Sequence, residues 1–281
     1  MGPRRQERAL NRRGGPRRSP SRLPPGWVAP AKPALERRSS DARPTKRAIR
    51  ERVWWLLETR GVGRFPLPLS DRIPNFAGAE RAAARLAELP EWKAARRLKV
   101  NPDAPQRPVR LRALREGKHV FMAVPRLRSA RCFLHLDPAK LAGKLAAAAT
   151  IKGASLLGAP VGPRELGRID LIVAGSVAVT PAGARLGKGG GYSDLEFALA
   201  REIGAVGERT PVVTTVHELQ VLDGTIPMTD HDVPLDIIAT PERVIRTRRK
   251  LTKPRGIVWP ELARAQLDAM PVLRRLRGRS R

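Results

Sequence analysis

Four of the five residues from Gly187 to Gly191 are glycine, and the run lies between a strand-like segment and a helix-like one. Residues 169–174 (IDLIVA) are short, apolar and β-branched, as a buried strand requires. Residues 194–203 carry the composition of a helix. A strand, a glycine loop and a helix in that order point to an α/β unit. Without Cβ atoms, successive N–H groups of such a loop can converge on one point, and the helix adds its positive end. Arg185 and Lys188 set full cations beside it. The design suits a polyphosphate; the competing reading is a flexible glycine-rich turn. No GK[ST] closes the loop, which excludes a Walker A site, and a long proline-containing link separates it from the strand, unlike a dinucleotide fingerprint.

The rest of the chain supports a sheet covered by helices. Residues 45–57 follow a helical pattern with Thr45 as N-cap, and Gly61 and Gly63 stop it. A second helix fits 77–89 before Pro90, a short one 91–97 and another 141–149. Strands are expected at 98–100, 109–114, 119–124, 169–174, 211–216 and 235–239, with a last helical turn at 241–245. Strands separated by helices predict a three-layer αβα fold with a mostly parallel sheet and helices on both faces. The expected domain spans 44–259. Residues 1–43 are rich in Arg, Pro, Gly and Ser without apolar periodicity, and read as a disordered basic tail; residues 260–281 read as a second basic tail.

The 281-residue chain has 55 basic and 26 acidic residues, a net charge of +29, which favours polyanionic partners. No apolar run approaches the ~20 residues that cross a bilayer, so no membrane span is expected. The single cysteine, Cys132, allows no intrachain disulfide and fits a reducing compartment. A cytoplasmic protein, monomer or homodimer, is the expectation; the Arg-rich start also has the composition of an organelle-targeting segment. His217 and Ser176 lack the partners of a catalytic set.

The stretch Arg185, Leu186, Gly187, Lys188, Gly189, Gly190, Gly191, Tyr192, Ser193, Asp194 resembles the RLGxGxGYYD loop of 5-formyltetrahydrofolate cyclo-ligases. Lys46 and Arg50 resemble the early K-x-x-x-R pair of that family, and Gln220, Pro227, Asp232, Asp236 and Thr240 fall where it has its late Gln, Pro, Asp, Asp and Thr. Longer phrases, such as VAGSVAVTPAGARLGKGGGYSDLE, resemble its methenyltetrahydrofolate synthetase domain-containing branch. The resemblance implies the cyclo-ligase fold with ATP and a reduced folate as ligands. ATP would contact Lys46, Arg50, Arg185, Leu186, Gly187, Lys188, Gly189, Gly190, Gly191 and Tyr192. The substrate would meet Lys188, the three glycines after it and Tyr192. Arg185 and Lys188 would be catalytic, and Asp194 and Asp232 would hold Mg²⁺.

Two departures accompany the match. Ser193 replaces the second tyrosine, and the segment 101–107 (NPDAPQR) lacks the glutamate with which the ligases engage folate. Two functions are therefore carried forward: the ATP- and Mg²⁺-dependent closure of 5-formyltetrahydrofolate to its methenyl form, and a catalytically silent folate or nucleotide binder whose basic tails bind RNA non-specifically.

Overall fold

The computed structural model describes residues 44–248 and 251–278; the expected tail at 1–43 lies outside the described residues. An eight-stranded sheet runs in the order Val244–Arg246, Ile237–Ala239, Val212–Thr215, Leu171–Val173, Arg97–Val100, His119–Ala123, Phe133–Leu136, Ala159–Val161. The five strands from Ile237–Ala239 to His119–Ala123 are parallel. Val244–Arg246 closes the first edge antiparallel; at the other, Phe133–Leu136 pairs antiparallel with His119–Ala123, and Ala159–Val161 antiparallel with Phe133–Leu136.

Side chains alternate across this sheet, as the period of two demands. Leu171 and Val173 face one apolar cluster, with Leu98, Val100, Ala83, Leu86, Val109, Ala113 and Leu114. Ile172 faces the other, with Phe121, Val212, Ile238, Phe197 and Leu199. Helices Ala79–Ala87 and Arg107–Arg115 thus cover one face and Tyr192–Glu202 the other. This is the expected three-layer α/β architecture.

Several local expectations change. Residues 109–114, read as a strand, lie in the helix Arg107–Arg115. Their alternation of apolar and basic residues mimics a strand, but Pro108 fixes a first helical turn and Val109, Ala113 and Leu114 are buried together at helical spacing. The turn of helix expected at 241–245 is instead the edge strand Val244–Arg246, paired with Ile237–Ala239. The helix expected at 141–149 shrinks to Leu145–Ala148, and an unexpected helix, Ile151–Leu157, capped by Thr150, follows it.

The expected basic tail from 260 onward also differs. Helices Arg264–Ala269 and Pro271–Arg277 form there, and Leu267, Met270, Val272 and Leu273 are buried in the main core. Apolar residues interleaved with arginines make an amphipathic helix with the basic side outward. The ordered domain therefore runs past 259 to at least 278.

The first helix, Lys46–Thr59, begins as expected: Thr45 Oγ1 accepts from the Ala48 N–H at 3.2 Å. It buries Ile49, Val53, Trp54 and Leu57 against a small cluster containing Val177, Ala178, Ala184 and Leu186. That packing lays the polar side of its first turns, with Lys46 and Arg50, against the glycine loop.

Candidate active site

A cavity of about 640 Å³ opens at the carboxyl ends of three neighbouring parallel strands. Asn101 follows Arg97–Val100, Val124 follows His119–Ala123 and Gly175 lies just beyond Leu171–Val173; all three line it. The strand order reverses between Arg97–Val100 and Leu171–Val173, and ligands of open α/β sheets bind at such a crossing. Every residue from Arg185 to Asp194 lines this cavity, together with Lys46, Arg50 and Asp232. Segments far apart in sequence thus meet in one place.

The glycine loop forms one wall. Gly189 has φ +113° and Gly191 φ +67°, conformations that side chains with a Cβ rarely adopt. Gly191 is the N-cap of Tyr192–Glu202, so the loop feeds directly into the positive end of an 11-residue helix. Arg50 pins the loop from outside: its Nε donates to the Gly187 carbonyl at 2.7 Å. Burial pulls the Arg50 pKa down, and Asp232 opposes that shift.

Lys46, Lys188 and Arg185 each have a carboxylate partner. Lys46 Nζ lies 2.5 Å from Asp232 Oδ2, and Lys188 Nζ lies 3.2 Å from Asp103 Oδ1 at the open side of the cavity. Arg185 departs from the expectation of a cation open to phosphate. Its side chain is 2% exposed and pairs with Asp194 Oδ1. It also donates to the Gly175 carbonyl at 3.0 Å and the Val233 carbonyl at 3.3 Å. It borders the cavity but acts mainly as the post that holds Asp194. The Val233 N–H adds a second bond to the same carboxylate oxygen, at 2.9 Å.

Asp194 and Asp232, the expected metal ligands, both line the cavity. The hydrogen bonds of Asp194 fall on Oδ1 and those of Asp232 on Oδ2. One oxygen of each is left without a partner among the described residues. Among those residues no cluster of three or more His, Cys, Asp or Glu side chains forms a protein-only metal cage. Two carboxylate oxygens plus phosphate and water suit Mg²⁺, which keeps much of its water and takes few protein ligands.

Burial works against the Asp232 carboxylate, but hydrogen bonds from Lys46 and Thr229 outweigh it and hold its pKa below the usual value. Its contribution to stability is therefore fully present above the ordinary aspartate pKa of about 3.9 and is lost as the pH falls through the lower folded value. Thermal melts below about pH 4 should fall less steeply with pH for Asp232→Asn than for the unaltered chain. Parallel curves would show that the carboxylate is as free in the folded state as in the unfolded one.

Other candidates take structural places. Gln220 donates to the Ser176 and Val177 carbonyls at 3.0 Å each. Asp236 accepts from the Val212 N–H at 2.8 Å and pairs with Lys253 at 2.7 Å. Thr240 closes the turn before Val244–Arg246 through the Arg243 carbonyl. None of these three, nor Pro227 nor His217, lines the cavity. His217 caps the turn Glu218–Gln220, with its pKa lowered by burial. Cys132 is buried, and burial pushes its thiol up to about 12, so it is no nucleophile.

Sequence reasoning missed the floor. Asn101, Ser193 and Glu196 lie there. Ser193 donates to Asn101 Oδ1 at 3.2 Å, Asn101 Nδ2 lies 3.4 Å from Glu196 Oε2, and the buried Lys99 pairs with that same oxygen. The available signal was a glutamate on the buried side of the helix that follows the glycine loop.

The 5-formyltetrahydrofolate cyclo-ligase family model matches residues 42–241, which include the loop, the Lys46–Arg50 pair and Asp232. The chain belongs to the 5-formyltetrahydrofolate cyclo-ligase family. Within it, a methenyltetrahydrofolate synthase domain-containing protein of Mus musculus is 45% identical over 242 residues, covering 84% of this chain and 64% of that protein. The protein of the same name from Homo sapiens is 40% identical over 240 residues, covering 84% and 62%. This cyclo-ligase family chain thus spans less than two thirds of the length of either relative. The solution structure of Aquifex aeolicus 5,10-methenyltetrahydrofolate synthetase superposes with a TM-score of 0.47 at 22% identity, over 72% of this chain and 93% of that one.

Proposed function

We propose that the cavity closes 5-formyltetrahydrofolate to 5,10-methenyltetrahydrofolate at the expense of ATP, with Mg²⁺ as cofactor. The carrying observation is the convergence of the glycine loop, Lys46, Arg50, Lys188, Asp194 and Asp232 on one cavity at the strand crossing. In this reaction the formyl oxygen bonds to the γ-phosphorus as the bond to ADP breaks. N10 then bonds to the formyl carbon and gives up its proton, and the C–O bond breaks to release phosphate.

The chain's task is positioning and charge compensation rather than covalent catalysis. Loop N–H groups and the helix end would meet the phosphates, with Lys46 and Lys188 lining the same cavity. Lys188 is 47% exposed and its bond to Asp103 is a mouth-side pair, so it is free to exchange that carboxylate for a phosphate oxygen. Arg50 holds the Gly187 carbonyl and so keeps the loop in shape. Mg²⁺ held by Asp194 and Asp232 would neutralise charge on the β- and γ-phosphate oxygens. Tyr192, half-buried at the start of its helix, borders the same space.

The test is formation of methenyltetrahydrofolate absorbance from 5-formyltetrahydrofolate, ATP and Mg²⁺. Lys188→Ala should lower kcat/KM by about 100-fold, a loss of about 2.7 kcal/mol of transition-state stabilisation, with melting temperature nearly unchanged. An unaltered chain that binds ATP and folate yet forms no product would favour the silent binder. A fully active Lys188→Ala would remove the role given to that cation.

A further inference from the structure

We infer that Glu196, on the floor of the cavity, is the acid that reads the edge of the ligand's planar ring, taking ring N–H donors on its Oε1. The inference rests on the folate reading above and assigns to this chain a recognition group that the segment 101–107 does not supply.

Glu196 is 6% exposed, yet it lines the cavity. Its Oε2 is occupied by Lys99 Nζ and by Asn101 Nδ2. Its Oε1 has no partner among the described residues. An acceptor that faces the cavity without a protein donor leaves its lone pairs available to a ligand N–H. The charge of Glu196 is already balanced by Lys99, itself 3% exposed. The donor it wants is therefore a neutral N–H rather than a second cation.

The surroundings narrow the class further. Asn101 cannot turn to serve the ligand: its Oδ1 accepts from Ser193 Oγ at 3.2 Å and the Gly175 N–H at 3.3 Å, while its Nδ2 points to Glu196. Met122, Ala123, Leu134 and Ile151 line the same cavity with apolar surface. A fixed acceptor at the bottom and apolar walls around it suit a flat, neutral heterocycle with N–H groups along one edge. Glycine N–H groups and cations suit phosphates, whereas this carboxylate and the apolar side chains suit a ring, so the two ligands draw on different groups of one cavity. Ser193 belongs to the arrangement, because its hydroxyl ties the loop to Asn101 where the family loop has a second tyrosine.

Calorimetry on the full chain tests the assignment with two probes, 5-formyltetrahydrofolate and ATP–Mg²⁺. In Glu196→Gln, Lys99 holds the amide carbonyl and the amide NH₂ takes the place of Oε1, so a donor meets a donor. Folate affinity should fall by about 30-fold or more while ATP affinity stays within about twofold. The double variant Lys99→Met with Glu196→Leu leaves no buried charge behind and guards against simple unfolding. It should melt near the unaltered chain and show the same selective loss. Folate affinity within about threefold of the unaltered chain in either folded variant overturns the assignment of Glu196. An unaltered chain that takes up ATP but no folate overturns the folate reading itself, and this inference with it.

Discussion

Arg185→Met is expected to remove about 3–5 kcal/mol of folding stability and to abolish turnover. The substitution deletes the partner of a carboxylate that is only 12% exposed, and it strips donors from the Gly175 and Val233 carbonyls. A buried charge left alone is worse than a buried pair, and worse than no charge. In a domain of this size the loss corresponds to a fall of roughly 10 °C in melting temperature. The double variant with Asp194→Asn should recover most of that stability, since no bare carboxylate remains. Activity should stay lost, because the proposed Mg²⁺ site loses the charge of one of its two carboxylates. Urea unfolding beside the product assay separates the two effects. A single variant as stable as the unaltered chain would mean that Asp194 finds water or another cation, and the post-like role of Arg185 would fall.

Arg110→Met should destabilise by about 3 kcal/mol and loosen the site from below. Arg110 is 1% exposed and carries a guanidinium whose pKa burial pulls down to about 10, so it remains charged at neutral pH. Its Nε donates to the Ala149 carbonyl at 2.9 Å, and its Nη1 to the Asn101 and Asp103 carbonyls at 2.6 and 3.0 Å. One side chain therefore clamps the segment that lines the floor to the helices beneath it. Arg110→Lys keeps the charge but not the fork, and should recover less than half of the loss. Hydrogen exchange at Asn101 and Asp103, with folate titrations, reports the effect. Unchanged exchange there alongside lowered global stability would limit Arg110 to packing.

Leu171–Val173 and Ile237–Ala239 were legible because each is a short apolar run, and a strand buried on both faces needs no more than that. The outer strands Phe133–Leu136 and Ala159–Val161 were not, since pairing with a neighbour rather than composition makes them strands. Pro160 even argues against a strand, and it is tolerated because this one lies at the sheet edge. Arg107–Arg115 misled through its alternating arginines, of which Arg110 points inward. The last two helices were hidden by charge, because their arginines mask a sparse apolar stripe.

At the site, the glycine loop announced itself, and the four-residue spacing of Lys46 and Arg50 set both on one helix side. The pairings were beyond reach. That Arg185 would be buried on Asp194, or that Lys99 and Asn101 would find Glu196, depends on how two strands and a helix dock. Sequence shows the charges; only packing decides which remain available to a ligand.

The C-terminal helix Pro271–Arg277 anchors itself through Val272 and Leu273 while Arg274, Arg275 and Arg277 stay exposed. Positive charge at this end is thus mounted on a fixed frame, with Arg274 and Arg277 about one turn, or roughly 4.5 Å, apart along the axis. A polyanion arriving there meets a preset comb of guanidiniums rather than a loose thread. It need not immobilise the protein's backbone to gain contact, so attraction at this end carries a smaller entropic penalty than the same arginines on an unstructured strand would impose.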